Sequence, residues 1–446
     1  MAFKSFRAAV AQSIAGQTLT LGLGGAFLLL SARWLGPTER GEQALLQSVG
    51  QFGAAILGLG MAGVVPMLLG RTRGATSWVV NVQGRVALAQ WGIATLAIAI
   101  TGRMLYPALV GREVVLGLTV AGLASQLIFF NAALASGDAR SPNVSSVVGA
   151  AISLVLLVGA RLAGRLDVDA ALWAQLIGVA IGTAANARGL LYGRAATAAV
   201  VPTRAELRML RLPAFQGYLS SFLALALFRA DIFVVERVGG GLRVAGVYAV
   251  SVFVAELFLK VPQWASTVLT ASVAMDAEKG AQRTVTLCVT SILVSALCFA
   301  PLVVAAPFFD AMAIRVLGTG YAGLAFILVA LMPRVLMQSG VVVLAGSLAG
   351  RGYTWYHPLA SGAGLVGVMS ADALLAPRLG AVGAAIGSSL GYSLAALVMF
   401  GGYLVTEGIT LREFGTMAST AIRVLRRGLA GVLGRSQPHD APEAPR

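Results

Sequence analysis

The chain has 446 residues, 58% of them hydrophobic and only 11% charged, with a mean hydropathy of +0.84. A soluble domain carries about 25% charged residues, so a soluble globular protein is excluded; the unbroken apolar runs also exclude a membrane β-barrel, whose strands alternate apolar with polar. The net charge of +15 comes from 30 Arg and 3 Lys against 18 acids, and its spread over short loops and a tail reads as a positive-inside topology signal, not as a nucleic-acid surface.

A helix needs about 20 apolar residues to cross the hydrocarbon core. By that measure the chain predicts twelve spans, near 10–33, 43–69, 78–101, 113–136, 143–163, 170–192, 213–236, 244–273, 284–307, 320–348, 356–377 and 380–406. Breakers fall in or beside the gaps: Gly36-Pro37, Gly70-Arg71, Gly111-Arg112, Ser141-Pro142, Gly239-Gly240-Gly241 and Pro377. The first run follows Lys4 and Arg7, extends to about Leu35 and ends without an A-x-A site. It exceeds the roughly 7–15 residues of a signal-peptide core, so a retained helix is expected.

With the N-terminus in the cytoplasm, 20 basic residues fall on the cytoplasmic side and 10 opposite, among them Arg33 and Arg40; Arg229, Lys260 and Arg334 fall within spans. That bias predicts a multi-pass protein with both termini in the cytoplasm. Abundant Arg, Ala and Gly with little Lys points to a GC-rich bacterial genome, hence to the bacterial inner membrane.

The basic stretch 193–212 reads as a cytoplasmic linker between two six-helix halves, 1–192 and 213–406. The halves share a loose pattern. Trp34-Leu35-Gly36-Pro37 followed by Gly41 parallels the Gly239–Gly241 turn followed by Gly246-Val247-Tyr248, and Val168-Asp169-Ala170-Ala171 parallels Val382-Gly383-Ala384-Ala385. Six spans per half place both halves in the same orientation, which implies a pseudo-two-fold along the membrane normal. The expected fold is an all-α polytopic membrane protein, about twelve transmembrane helices in two six-helix halves around a central cleft. Beyond it, 407–435 reads as a basic amphipathic helix: Leu411, Phe414, Ala418, Ile422, Leu425, Leu429 and Val432 follow helical spacing, with Arg412, Arg423 and Arg427 on another face. The Pro-rich stretch 436–446 reads as a disordered tail.

Enzyme chemistry finds no purchase. The two His, His357 and His439, fall outside the predicted membrane core, and no Gly-x-Ser-x-Gly elbow, Walker loop or metal-spaced carboxylate cluster occurs. No cofactor is expected. The informative residues are ionisable groups at membrane depth, where each costs about 2.5–3.5 kcal/mol on insertion scales. Glu256 and Lys260 stand four apart, acid first, on one predicted helix. Arg229 and Asp231, two apart, point to different sides, so Arg229 can face Glu256 across the turn. Arg334 lies mid-span and Asp372 near the outer end of its span.

One reading is a water-filled cleft lined by Arg229, Lys260 and Arg334, with Asn131 as a polar neighbour, holding an anionic head group that suits the planar Arg fork. Asp231, Glu256 and Asp372 then balance charge or couple to protons or sodium. The other reading is a set of pairs that only fixes helix packing. Both stay open on these residues alone.

Phe228-Arg229-Ala230-Asp231, the Gly239–Gly241 turn, Gly246-Val247-Tyr248, Glu256 and Pro262 resemble the seventh and eighth helices of the polysaccharide (O-antigen type) flippases. Ala32-Arg33-Trp34-Leu35-Gly36-Pro37 with Gly41 is similar to their first loop, and Ala376-Pro377-Arg378-Leu379-Gly380-Ala381-Val382-Gly383-Ala384-Ala385 to their last hairpin. The resemblance implies the fold of the multidrug/oligosaccharidyl-lipid/polysaccharide exporter superfamily. It implies translocation of a polyprenyl-pyrophosphate-linked oligosaccharide, with membrane lipid and that glycan as partners, and a glycan polymerase or glycosyltransferases nearby. On it, Arg229, Lys260 and Arg334 would meet pyrophosphate or sugar. The family does not fix Lys260 or Arg334, and few aromatics fall in the predicted cleft. Two alternatives remain: a drug/cation antiporter of the same superfamily, which would want an acidic cleft, and a non-transport scaffold of a glycan-synthesis complex.

Overall fold

The computed structural model describes residues 2–72, 75–104, 106–138, 140–192, 200–260, 262–263, 266 and 280–434. Residues 193–199 of the expected linker, the end of the expected eighth span and the tail 436–446 lie outside them.

Fourteen helices occur among the described residues: α1 (Ala2–Leu57), α2 (Met61–Arg71), α3 (Thr76–Met104), α4 (Glu113–Ala135), α5 (Arg140–Leu162), α6 (Val168–Tyr192), α7 (Arg204–Met209), α8 (Arg211–Val238), α9 (Gly241–Leu257), α10 (Gly280–Val304), α11 (Ala306–Leu317), α12 (Leu324–Gly350), α13 (Tyr356–Glu407) and α14 (Leu411–Gly434). Nine of these are long and apolar enough to cross a membrane. Two of the nine are double. α1 breaks at Gly36 (φ 78°, ψ 173°) and α13 at Gly380 (φ 59°, ψ −137°). With α9 added, the count is about twelve spans in two halves, as the hydropathy predicts.

The fold-back of α1 can be followed by its close contacts. Gly16 lies against Asn143 at the start of α5, Gly41 against Gly246 near the start of α9, and Gly60 returns to Ala214 and Tyr218 at the start of α8. Gly16 and Gly60 are therefore at one end of the bundle, the termini end, and Gly41 is at the opposite, far end.

The two halves repeat each other in their turns. Gly36 and Gly241, at φ 78° and 80°, open the second span of each half, in a region L side chains avoid. A short 3₁₀ turn, Pro107–Leu109, and then Gly111 precede α4; Thr319–Tyr321 and then Gly323 precede α12. Gly137 and Gly352 follow in the next pair of turns, and Gly164 and Gly380 in the last. The repeated order is the structural form of the loose sequence parallel.

The halves meet most closely at the far end. A Cβ on Gly41 would strike the carbonyl of Leu242, and one on Gly246 the carbonyl of Pro37. Pro37 and Leu242, and Gly41 and Gly246, keep the same separation along the chain as Gly36 and Gly241, so this contact is mutual and sits on the pseudo-two-fold. Small residues permit such backbone contact between membrane helices. Around it the Tyr321 hydroxyl donates to the Ala32 carbonyl at 2.9 Å, and Arg33 Nη1 donates to the Val316 carbonyl at 2.6 Å.

At the termini end a capping box of Thr203 and Glu206 starts α7. α14 packs Phe414 edge-on against Phe400 of α13, at 4.8 Å between ring centroids, and leaves Arg412, Arg423 and Arg426 exposed. The side chain of Arg427 lies outside the described ones.

Candidate functional site

The ionisable residues at depth gather along the seam between the halves and just inside the second half. α8 carries Arg229 and Asp231, and the two-residue offset turns them to opposite sides. Arg229 faces the seam. Its Nη1 and Nη2 donate to the two Glu256 oxygens at 3.0 and 3.2 Å, a bidentate fork, and its Nε donates to Gln51 of the other half at 3.2 Å. Gln51 and Glu256 keep the Gly41–Gly246 separation, so one arginine binds equivalent positions of both halves. The Arg229 and Glu256 side chains stay 29% and 18% exposed.

Asp231 faces inward. One oxygen, Oδ2, accepts from the Tyr248 hydroxyl at 2.6 Å, the Ser388 hydroxyl at 3.0 Å and Arg334 Nη1 at 3.1 Å. Arg334 is sealed, with its guanidinium 4.6 Å from the Tyr392 ring centroid and 5.7 Å from that of Phe228. Its Nη2 lies 3.9 Å from Glu256 Oε1 and makes no hydrogen bond. Asp231, Arg334, Glu256 and Arg229 thus form a chain of alternating charge running from the core of the second half to the seam. Pro333, inside α12, has no N–H to give the helix ladder. Next to it the Ser389 hydroxyl donates to the Ala330 carbonyl at 2.8 Å and accepts from the Arg334 amide at 3.3 Å.

Asp372 is fully buried, and neither carboxylate oxygen has a hydrogen-bond partner. Oδ1 lies where a Cβ of Gly387 would be. The Gly137–Gly352 separation puts Leu157, itself fully buried, at the matching place in the first half. The fold therefore fills this position with an apolar side chain in one half and a bare carboxyl in the other.

A cavity of about 220 Å³ lies between the halves, lined by Arg40, Gln47, Ser48, Gln51, Arg229, Asp231 and Tyr248 with apolar neighbours. Lys260 lies elsewhere. It lines a separate cavity of about 430 Å³ with Gln17, Asn143, Ser146 and Phe253, and its Nζ donates to Gln263 at 3.2 Å.

These placements correct parts of the sequence expectation. Arg229, Lys260 and Arg334 do not line one cleft: Arg229 lines the central cavity, Lys260 a second one, and Arg334 is 1% exposed in dry aromatic packing. The guanidinium is held inside the half by Asp231 and two rings, and its one nitrogen without a hydrogen bond, Nη2, lies beside Glu256. Asn131 turns back on its own helix, donating to the Leu127 carbonyl at 2.9 Å. Asp372 lies in the core, not at an outer interface, and Arg40, expected in an outer loop, is 3% exposed at the cavity. The Arg229–Glu256 pairing across the turn is as expected; the Glu256–Lys260 pair does not form, since Lys260 reaches Gln263 instead.

Sequence reading missed Arg40, Gln51, Ser388 and Tyr392. The Gly41–Gly246 parallel held the signal for Gln51, which it aligns with Glu256.

No protein-family profile matches the sequence, and no curated protein matches it. The fold does match solved structures. One is an inward-facing multidrug resistance MATE family transporter of the MOP superfamily, with a TM-score of 0.69 and 15% identity over 92% of this chain and 99% of that one. Another is the lipid II flippase MurJ in an inward closed conformation, with a TM-score of 0.69 and 13% identity over 96% and 93% of the two chains. A third is a MOP superfamily transporter from Pyrococcus furiosus described by a reversed polarity of its binding pocket, with a TM-score of 0.63 and 16% identity over 89% and 93%. The chain is a multi-pass membrane protein with the fold of the MOP superfamily transporters.

Proposed function

We propose that the chain is a flippase, moving a polyprenyl-pyrophosphate-linked oligosaccharide across the bacterial inner membrane by alternating access between its two halves. The observation that carries this reading is Arg229. It stands at the seam, bound to Glu256 of its own half and Gln51 of the other, and it faces a cavity. An arginine that bridges both halves at membrane depth can exchange its carboxylate for a substrate phosphate, a good match for its planar fork. When the phosphate displaces Gln51 as well as Glu256, the other half is released, which links cargo to rearrangement.

The lipid-linked character of the cargo rests on the flippase-like segments and on the likeness to a structure described as a lipid II flippase. Lys260, in a separate cavity lined from α1, α4, α5 and α9, is assigned to the same cargo's sugar or phosphate. Asp372 is assigned to proton or sodium coupling, because a buried carboxyl without partners is relieved by a bound cation. Glu256 and Asp231 hold the two arginines. A glycan polymerase or glycosyltransferases would supply and consume the cargo.

The drug/cation antiporter is the second reading, since MATE transporters share the fold. The cavity argues against it: Arg40 and Arg229 line it against the single Asp231, which is bound by three donors. A scaffold role predicts glycan export indifferent to Arg229. The test is complementation of a deletion strain with Arg229→Gln, reading surface glycan at matched protein levels. The flippase reading predicts a loss of tenfold or more, and undiminished glycan would contradict it.

A further inference from the structure

Arg40 is a second buried cation at the central cavity, and the fold does not require it. The Gly41–Gly246 separation puts Ala245 at the equivalent place in the second half, also fully buried. A small side chain therefore serves the packing there. Arg40 is 3% exposed, yet among the described residues no carboxylate lies within 4.0 Å of it. Its hydrogen bond is from Nη1 to Gln43 Oε1 at 2.7 Å, while Nε has no partner. The Gln43 Nε2, one helical turn on and fully buried, has none either. The neighbouring acid, Glu42, is held by Arg112. An unpaired buried charge costs several kcal/mol, and charge retained at membrane depth marks a ligand path. Arg229, in the same cavity, already has its carboxylate.

We propose that Arg40, supported by Gln43, is an oxyanion-binding residue at the far end of the central cavity. It takes a phosphate oxygen of the cargo once Arg229 has released it and rebonded to Glu256. The inference rests on the pyrophosphate-bearing cargo proposed above and adds a second contact point, displaced from Arg229 toward the far end, where Gly41 and Gly246 close the halves. A phosphate moving from Arg229 to Arg40 would arrive beneath that contact.

The test uses the full chain in lipid nanodiscs, with binding measured for inorganic pyrophosphate and for polyprenyl pyrophosphate. The two ligands separate a free phosphate ion from a lipid head group as the source. Loss of a hydrogen bond to a charged group predicts that Arg40→Gln weakens the binding ligand about tenfold to a hundredfold. Arg40→Lys, a point charge without the fork, is expected to bind more weakly than wild type and more tightly than Arg40→Gln. Should Arg40→Gln not fold, Arg40→Lys carries the test, and wild-type affinity in it overturns the inference. Wild-type affinity in Arg40→Gln, with Arg229→Gln impaired, overturns the Arg40 site and leaves the cargo reading standing. Failure of wild type to bind either ligand overturns both.

Discussion

Arg334 and Asp231 form an ion pair at 3.1 Å in which each side chain is only 2% exposed. They come from α12 and α8, and the same Asp231 oxygen also accepts from Tyr248 of α9 and Ser388 of α13. One carboxylate thus ties four helices of the second half, and the aromatic rings of Phe228 and Tyr392 cover the guanidinium.

That pairing predicts an asymmetry of single and double substitutions. Arg334→Met leaves Asp231 buried beside an apolar side chain and is expected to cost about 3–5 kcal/mol, whereas replacing both by apolar residues of similar volume costs far less. Thermal unfolding in detergent, with Asp231→Leu and the double variant alongside, checks it. A double variant that loses the sum of the two single losses would mean that the pair contributes nothing as a pair.

Asp372 offers a stability test of its own. Because the first half holds Leu157 at the matching position, Asp372→Leu is expected to raise the unfolding temperature while abolishing the dependence of transport on an ion gradient. Asp372→Asn should keep the packing and likewise lose the gradient dependence. Retained gradient dependence in both would remove Asp372 from the coupling role.

The far-end contact has a steric consequence. Gly246→Val places a side chain where the Pro37 carbonyl stands, and overpacking of this kind costs about 1–3 kcal/mol. The closed far end is destabilised relative to an opened one. Spin labels at Trp34→Cys and Val316→Cys, with Cys288 and Cys298 replaced by Ser, should report a longer distance in Gly246→Val than in the parent. An unchanged distance would show that the glycines are only a packing convenience.

Much of the fold was legible because membrane spans announce themselves by length and apolarity, and because the turns between them need glycine. The Arg229–Glu256 pair was legible too, since a two-residue offset on one helix and a short turn leave few alternatives. Arg334 was not. The sequence shows a charge at depth, but whether it meets Asp231 or water depends on how α8 and α12 are rotated, and no local pattern encodes that. Arg40 was misplaced for a related reason. It follows a breaker closely enough to read as loop, while the chain resumes its helix directly after Gly36 and carries Arg40 inward. Lys260 was paired with Glu256 by spacing, but the bidentate grip of Arg229 leaves that carboxylate engaged elsewhere.

The most direct measurement is translocation by the purified chain in sealed vesicles. A fluorescent polyprenyl-pyrophosphate oligosaccharide and a lipophilic cationic dye are followed side by side, in wild type and in Arg229→Gln. A flippase moves the anionic lipid-linked glycan in wild type, loses it at least tenfold in Arg229→Gln, and leaves the dye where it began. Dye transport without glycan movement, or glycan movement indifferent to Arg229, would contradict the account.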